Sequence, residues 1–238
     1  MTEIHFTIDG KECLARHGQT IVEAAKDNGV YIPVLCHYEG LKPVGSCRIC
    51  TVRAAGRYMA ACTQPVTEGL AVENAAPDLE DMRRALIEML FVEGNHFCPA
   101  CEKSGNCELQ ALGYRYRMMA PRFPYLWPGR PLLAGAPLLM LERNRCIQCL
   151  RCVRGVRAKD GRRIFAAIRR GPQVTIEIDA RLGAKLGEDE ARRAMDVCPV
   201  GAIIRKETGF AVPIGRRKFD HAPIGSDIGK GNGEAGRE

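Results

Sequence analysis

Several things are scarce in this chain of 238 residues, and each scarcity removes a class of function. No apolar run approaches the ~20 residues that cross a bilayer, so no membrane span is expected. The opening stretch, Met1 to Gly10, has neither the basic start nor the apolar run of a secretory leader. A cytoplasmic protein with reduced thiols is the expectation. Aromatic residues make up only 6% of the chain. The formal charge is +7, and much of the basic excess lies between Arg143 and Arg170, yet Phe165 is the one aromatic among those arginines. Nucleic-acid grooves interleave base-stacking rings with basic side chains, so no nucleic-acid partner is expected. A phosphate-binding turn is also missing. Gly231-x-Gly233-x-x-Gly236 matches the dinucleotide fingerprint in form, but no strand precedes it and no helix has room to follow.

Cysteine is what the chain has in quantity. Eleven of its twelve cysteines fall into three sets. The first is Cys36-x10-Cys47-x2-Cys50-x11-Cys62, the second His96-x-Cys98-x2-Cys101-x5-Cys107, and the third Cys146-x2-Cys149-x2-Cys152-x45-Cys198-Pro199. Each supplies four soft or borderline donors. Disulfides are a poor reading, because Cys-x2-Cys pairs are too local to staple distant segments and the chain is long for such a scaffold. Structural zinc is the stronger competitor, but it favours two close pairs, or a pair plus histidines, around one tetrahedral ion. The first set instead has one pair flanked by two distant thiols, comparable to the arrangement of plant-type ferredoxins, and is read as a 2Fe–2S site. The third places three thiols at the corners of a cubane and adds a remote Cys-Pro, which suits one 4Fe–4S cluster. The second has three thiols and His96 as its fourth candidate, for a second 4Fe–4S cluster. Metal–thiolate bonds tie a chain together directly, so a core lean in aromatics is tolerable. The arginines after Arg143 either offset cluster charge or form a solvated or subunit-facing basic surface. Cys13, in an expected strand, reads as a small buried hydrophobe. His5, His17, His37 and His221 read as ordinary hydrogen-bonded residues.

The order of elements points to an α+β chain. Residues 3–8 alternate as a strand, Asp9-Gly10 signals a hairpin, and Glu12 to Ala15 can return. Thr20-x-x-Glu23 is a capping box for a short helix ending at Gly29. Arg48 to Arg53 and Tyr58 to Cys62 are candidate further strands. Residues 1–76 are therefore expected to form a β-grasp 2Fe–2S ferredoxin domain. Residues 77–120 hold an amphipathic helix starting at Pro77-Asp78, with Met82 and Met89 expected in the core, and then the His/Cys3 segment. Residues 121–139 form a connector, with five prolines between Pro121 and Pro137. Residues 140–219 form a C-terminal 4Fe–4S ferredoxin-like domain with strands at Ile164 to Ile168 and Val174 to Ile178 and a helix from Glu188 to Val197. Residues 220–238 read as a flexible tail.

These motifs also carry a family resemblance, running from Ile4 to about Asp220. It rests on Pro33-x2-Cys36, Gly45-Ser46-Cys47-Arg48-x-Cys50, Glu93-Gly94-Asn95-His96-Phe97-Cys98 and Gly105-Asn106-Cys107-Glu108-Leu109-Gln110. It continues through Asn144-Arg145-Cys146-Ile147-x-Cys149, Asp196-Val197-Cys198-Pro199-Val200-Gly201-Ala202 and Phe210-Ala211-Val212-Pro213-Ile214-Gly215. The chain resembles the N-terminal region of the respiratory NADH dehydrogenase iron–sulfur subunit, and more closely the small diaphorase subunit of cytoplasmic NAD-reducing nickel–iron hydrogenases. That resemblance implies an electron-transfer subunit of an oxidoreductase, with no substrate-converting site of its own. FMN and NAD would lie on a flavin-containing, NAD-binding diaphorase subunit, and the nickel–iron centre on hydrogenase small and large subunits. In the hydrogen-oxidising direction, electrons would pass through the Cys146 and His96 sets towards the flavin. The alternatives are the equivalent subunit of an NAD-dependent formate dehydrogenase or respiratory-type NADH dehydrogenase, and a zinc-stabilised interaction scaffold.

Overall fold

The computed structural model of the chain describes residues 3–207 and 209–220. It opens with a hairpin of β1 (Glu3–Ile8) and β2 (Lys11–Arg16). Asp9 and Gly10 both take positive φ, 50° and 78°, the backbone that a two-residue hairpin turn requires. In α1 (Ile21–Asp27) the Thr20 hydroxyl and the Glu23 carboxylate form the reciprocal cap. β3 (Thr51–Ala54), β4 (Arg57–Ala60) and β5 (Leu70–Glu73) complete a sheet of order β2-β1-β5-β3-β4. β3 starts three residues later than Arg48, because the Cys47–Cys50 turn must curl before the chain can extend. β5 pairs parallel with β1 and antiparallel with β3, and nothing in its four residues announced it. Phe6, Ile8, Ile21, Ala24, Val52 and Val72 fill the core between this sheet and α1, together with Cys13.

α2 (Pro77–Val92) begins with proline in its first turn and buries Leu79, Arg83, Ile87 and Val92. The methionine expectation fails here. Met89 is 36% exposed and Met82 only half-buried, because a guanidinium occupies the inward face of the helix. Next come α3 (Glu108–Arg115), the connector without regular structure, and β6 (Leu139–Leu141). The last part contains α4 (Arg151–Gly155), β7 (Phe165–Ile168), β8 (Thr175–Ile178), α5 (Ala180–Gly183), α6 (Glu188–Val197) and β9 (Ile203–Arg205). β6 pairs with β9 and β7 with β8, each as a two-stranded antiparallel ribbon. Such ribbons are marginal alone; here they share a core with Ile87, Leu109, Val156, Ile176, Ala194 and the Cys107, Cys152 and Cys198 side chains. No helix among the described residues is long and apolar enough to cross a membrane. Most of the expected tail, with His221 and the Gly231-x-Gly233-x-x-Gly236 match, lies outside the described residues.

Candidate iron–sulfur centres

The first set is built by loops at one end of the N-terminal sheet. Cys36 follows α1, Cys47 and Cys50 lie on the turn entering β3, and Cys62 stands just beyond β4. Gly45 and Arg48 take positive φ, 63° and 60°, which curls the loop between the outer thiols. Cys36, Cys50 and Cys62 are buried and Cys47 half-buried, and the Cys36 amide donates to the Cys47 sulfur at 3.4 Å. Hydrogen bonds from Cys47 and Cys62 hold the Cys36 thiol below its ordinary pKa, and one from Cys62 does the same for Cys50. The donor thiols of Cys47 and Cys62 are pushed up in turn. Contacts of Cys36 with Cys47 and Cys62, and of Cys50 with Cys62, bring the four sulfurs within reach of one another.

The second set gathers around a space of about 270 Å³, open solvent included, lined by His96, Cys98, Cys101 and Cys107 with Gln110, Arg145 and Gly201 among others. α2 ends at Val92, and the Gly94-Asn95 turn then carries the chain inward, held by the Asn95 amide donating to the Asn144 carbonyl at 2.8 Å. A Cβ on Gly94 would sit 2.5 Å from His96 Nε2, so a side chain there would push the ring aside. Burial pushes the His96 pKa down to about 4, which leaves a neutral imidazole at pH 7, and a hydrogen bond with the Leu90 backbone fixes the ring. Nε2 is buried and has no hydrogen-bond partner. A neutral ring, anchored on one side and orphaned on the other, is how a metal-ligating histidine is held. Cys107 caps α3, its sulfur accepting from the Gln110 amide at 3.4 Å, while burial pushes its thiol up to about 12. The Phe219 amide donates to the Gly105 carbonyl, and Lys218 to the Asn106 side chain, both at 2.8 Å, so the 217–220 turn closes over this loop.

The third set lines a space of about 330 Å³, open solvent included, with Cys146, Cys149, Cys152 and Cys198 set among Leu141, Ile147, Leu150, Ile176, Val200 and Ile203. Gln148 and Leu150 adopt left-handed backbone, φ 54° and 59°, unusual for such residues and consistent with a loop wound around a bound group. Burial raises the Cys146 thiol to about 11 and Cys149 to about 12, and pushes Cys152 up as well. Metal binding would therefore have to displace protons from these sulfurs. The sulfurs are unbridged. Among the described residues no three His, Cys, Asp or Glu side chains are arranged to hold a single metal ion; the donors of the second and third sets surround a space. Soft sulfur donors around apolar cavities, with one orphaned imidazole nitrogen, fit iron–sulfur clusters.

The structure thus brings each expected set together, and it adds residues that the cysteine spacing did not reveal. Arg154 Nη2 donates to the Cys36 carbonyl at 2.6 Å and the Cys149 carbonyl at 3.4 Å, joining the first and third sets through one guanidinium. A Cβ on Gly201 would lie 2.4 Å from Cys101 Sγ, so the Cys198 loop presses on the second set. The solvated-surface reading of the arginines holds only for Arg157, Arg162, Arg163, Arg169 and Arg170. Arg143 and Arg151 are buried, while Arg145 pairs with Glu102 at 3.0 Å. His37 departs from expectation too, since its buried Nδ1 has no partner. The available signal was position: Arg145, Arg151 and Arg154 each sit within two residues of a candidate ligand cysteine.

Replacing His96 by alanine is expected to cost the chain about four irons, one cubane, whereas His96→Cys restores them. Iron and acid-labile sulfide analysis of the purified variants checks this, and an alanine variant with full iron content would rule out ligation by His96.

Comparison with known proteins places this architecture. Three family models match in order: a 2Fe-2S iron-sulfur cluster binding domain over residues 1–77, an NADH-ubiquinone oxidoreductase-G iron-sulfur binding region over 83–122, and an NADH-quinone oxidoreductase subunit 3 ferredoxin-like domain over 136–204. One 2Fe–2S and two 4Fe–4S binding regions agree with the three donor sets. The gamma subunit of the NAD-reducing hydrogenase HoxS of Cupriavidus necator is 49% identical over 218 residues, covering 91% of this chain and 93% of the relative. The mitochondrial 78 kDa subunit of NADH-ubiquinone oxidoreductase of Neurospora crassa is 32% identical over 87% of this chain, which spans only 28% of that relative's length. A crystal structure of an NAD+-reducing [NiFe]-hydrogenase in the H2-reduced state contains a chain that superposes with a TM-score of 0.86 at 44% identity, covering 92% of this chain and 94% of that one. The chain belongs to the family of small iron–sulfur subunits of NAD-reducing [NiFe]-hydrogenases, and is closely related to the HoxS gamma subunit.

Proposed function

We propose that this chain holds its 2Fe–2S cluster on Cys36, Cys47, Cys50 and Cys62, and its two 4Fe–4S clusters on His96, Cys98, Cys101 and Cys107 and on Cys146, Cys149, Cys152 and Cys198. As an oxidoreductase subunit it links a nickel–iron hydrogenase module to NAD reduction. Bound clusters supply one-electron exchange, while hydride exchange with NAD needs a flavin and nicotinamide site, assigned here to a flavin-containing partner. The protein's part is to fix separations and set the surroundings. Apolar side chains around the third set exclude water, and Arg145 and Arg151 bring positive charge to the thiolates. The observation that carries this reading is the contact of the third set's peptides with both other sets, through Arg154 on one side and Gly201 on the other. That arrangement supports a junction position for the Cys146 set, linked to the 2Fe–2S set through the Arg154 guanidinium.

Partner subunits would also account for an exposed apolar patch beside the His96 loop. Phe97, Leu126 and Trp127 are 67%, 63% and 73% exposed, and the Leu126 amide is tied back to Val92 at 3.0 Å. Hydrogenase small and large subunits and the flavin subunit are the proposed partners, in the cytoplasm. The test is elemental analysis of the native complex purified without oxygen. This chain is expected to contribute about ten irons, from one two-iron and two four-iron centres, accompanied by nickel and FMN from the partners. Molybdenum or tungsten in place of nickel would move the assignment to a formate dehydrogenase, and zinc with little iron would end the electron-transfer reading.

A further inference from the structure

The second and third donor sets meet at an ion pair whose arginine is buried. Arg151 is 1% exposed and directly precedes Cys152; its two terminal nitrogens each donate to one Glu108 oxygen at 2.8 Å. Its Nε is buried with no partner, and its charge and backbone N–H act on the Cys149 sulfur. Glu108 directly follows Cys107, and its amide donates to the Pro199 carbonyl at 2.8 Å, beside Cys198. The guanidinium also lies 5.4 Å from the Tyr38 ring, on the loop of the first set. The pair is neutral as a whole, with its guanidinium acting on the third set and its carboxylate carried by the residue that follows Cys107 of the second.

We infer that the Arg151–Glu108 pair is a charge lever between the two 4Fe–4S sites, biasing a shared electron towards the Cys146 set and away from the His96 set. The inference rests on the ligand assignment proposed above. A cluster gains negative charge when reduced, so a nearby cation favours its reduced form and a nearby anion its oxidised form. One electron leaves one centre as the other gains it, and no bond forms or breaks. A bidentate pair with a buried guanidinium is worth more here than in water, because little solvent screens the cation.

Two variants of the intact complex test this by EPR-monitored redox titration, alongside iron and sulfide content. Glu108→Gln keeps the shape and removes the anion. Both 4Fe–4S potentials should rise, the His96 set's more. Arg151→Gln removes the cation, and both should fall, the Cys146 set's more. The absolute shifts are therefore opposite, yet in each variant the electron distribution moves towards the His96 set, by about tenfold, or 59 mV for a one-electron couple. Arg151→Lys should return the Cys146 potential close to the wild-type value. If one variant loses iron, the other decides by the sign of its shift. Unchanged potentials, shifts of one sign in both variants, or loss of a 4Fe–4S signal from both would overturn the lever and leave a purely structural staple. A wild-type complex without two 4Fe–4S signals would instead refute the ligand assignment itself.

Discussion

Stripping iron and sulfide from the chain is expected to unfold residues 139–205 while the N-terminal sheet stays folded. The two regions depend on metal to different degrees. The N-terminal core has a five-stranded sheet with α1 packed on it, and of the first set only Cys50 and Cys62 belong to that core. The C-terminal region has two short ribbons, and Cys152 and Cys198 are members of the core that joins them. Removing the bound group there would leave up to about 330 Å³ between apolar side chains, open solvent included. The side chains lining that space would lose packing partners, and the metal–thiolate bonds that tie the two ribbons together would be lost with them. Hydrogen exchange on the cluster-loaded and chelated chain reads the difference. Amides of β6, β8 and α6 should fall to the protection of fraying segments, and those of β1 and β3 should keep theirs. Uniform loss, or none, would show that the metal's contribution is not localised in this way.

The same thiols give the metal-free state a pH dependence of known sign. Cys146 and Cys149 are raised from an ordinary 9.0 to about 11 and about 12. The folded apo chain thus holds protons that the unfolded chain releases from pH 9 upward, so any residual apo stability is present below pH 9 and is lost as pH rises towards 12. Cluster uptake releases those protons and runs the other way, becoming more favourable as pH rises. Reconstitution yield and apo stability should therefore respond to pH in opposite directions.

What could be read in the sequence was what is decided locally. Cys-x2-Cys spacing brings two sulfurs to one turn wherever that turn lies, and the Thr20–Glu23 cap and the Asp9-Gly10 hairpin are likewise short-range. The Cys146 triplet could be paired with Cys198 across x45 because Cys-Pro after a helix is itself a local sign. The rest depended on partners distant in the chain. β5 is a strand because β1 and β3 offer it two edges. Arg154 reads as a surface cation until the Cys36 carbonyl is placed beside it, 118 residues away. α2 shows why periodicity alone misled. Its apolar spacing admits more than one inward face, and the choice between Met89 and Arg83 is made by acceptors that α2 does not contain.

Those acceptors make Arg83 the residue whose loss should cost most outside the donor sets. It is 1% exposed in the middle of α2. Its nitrogens donate to the Asn74 carbonyl at 2.8 Å, the Asn74 side chain at 2.7 Å and the Thr51 carbonyl at 2.8 Å, and its partner Glu80 lies 3.1 Å away. Thr51 follows Cys50, and α2 leads to His96, so one guanidinium locks a ligand turn of the first set to the helix that delivers the second. Arg83→Met keeps much of the volume but leaves three buried oxygens without donors. At about 1 kcal/mol or more for each unsatisfied acceptor, a loss of roughly 3–5 kcal/mol is expected. Arg83→Lys should recover only part of it, because an ammonium cannot span acceptors placed for a planar fork. Urea unfolding of the cluster-loaded chain, followed by far-UV dichroism and by cluster absorbance, measures both consequences. The midpoint should fall, and the two probes should part, with the His96 site released before the N-terminal sheet melts. A change below about 1 kcal/mol would mean that water or a side-chain rearrangement satisfies those acceptors, and that Arg83 is not what holds α2 to the sheet.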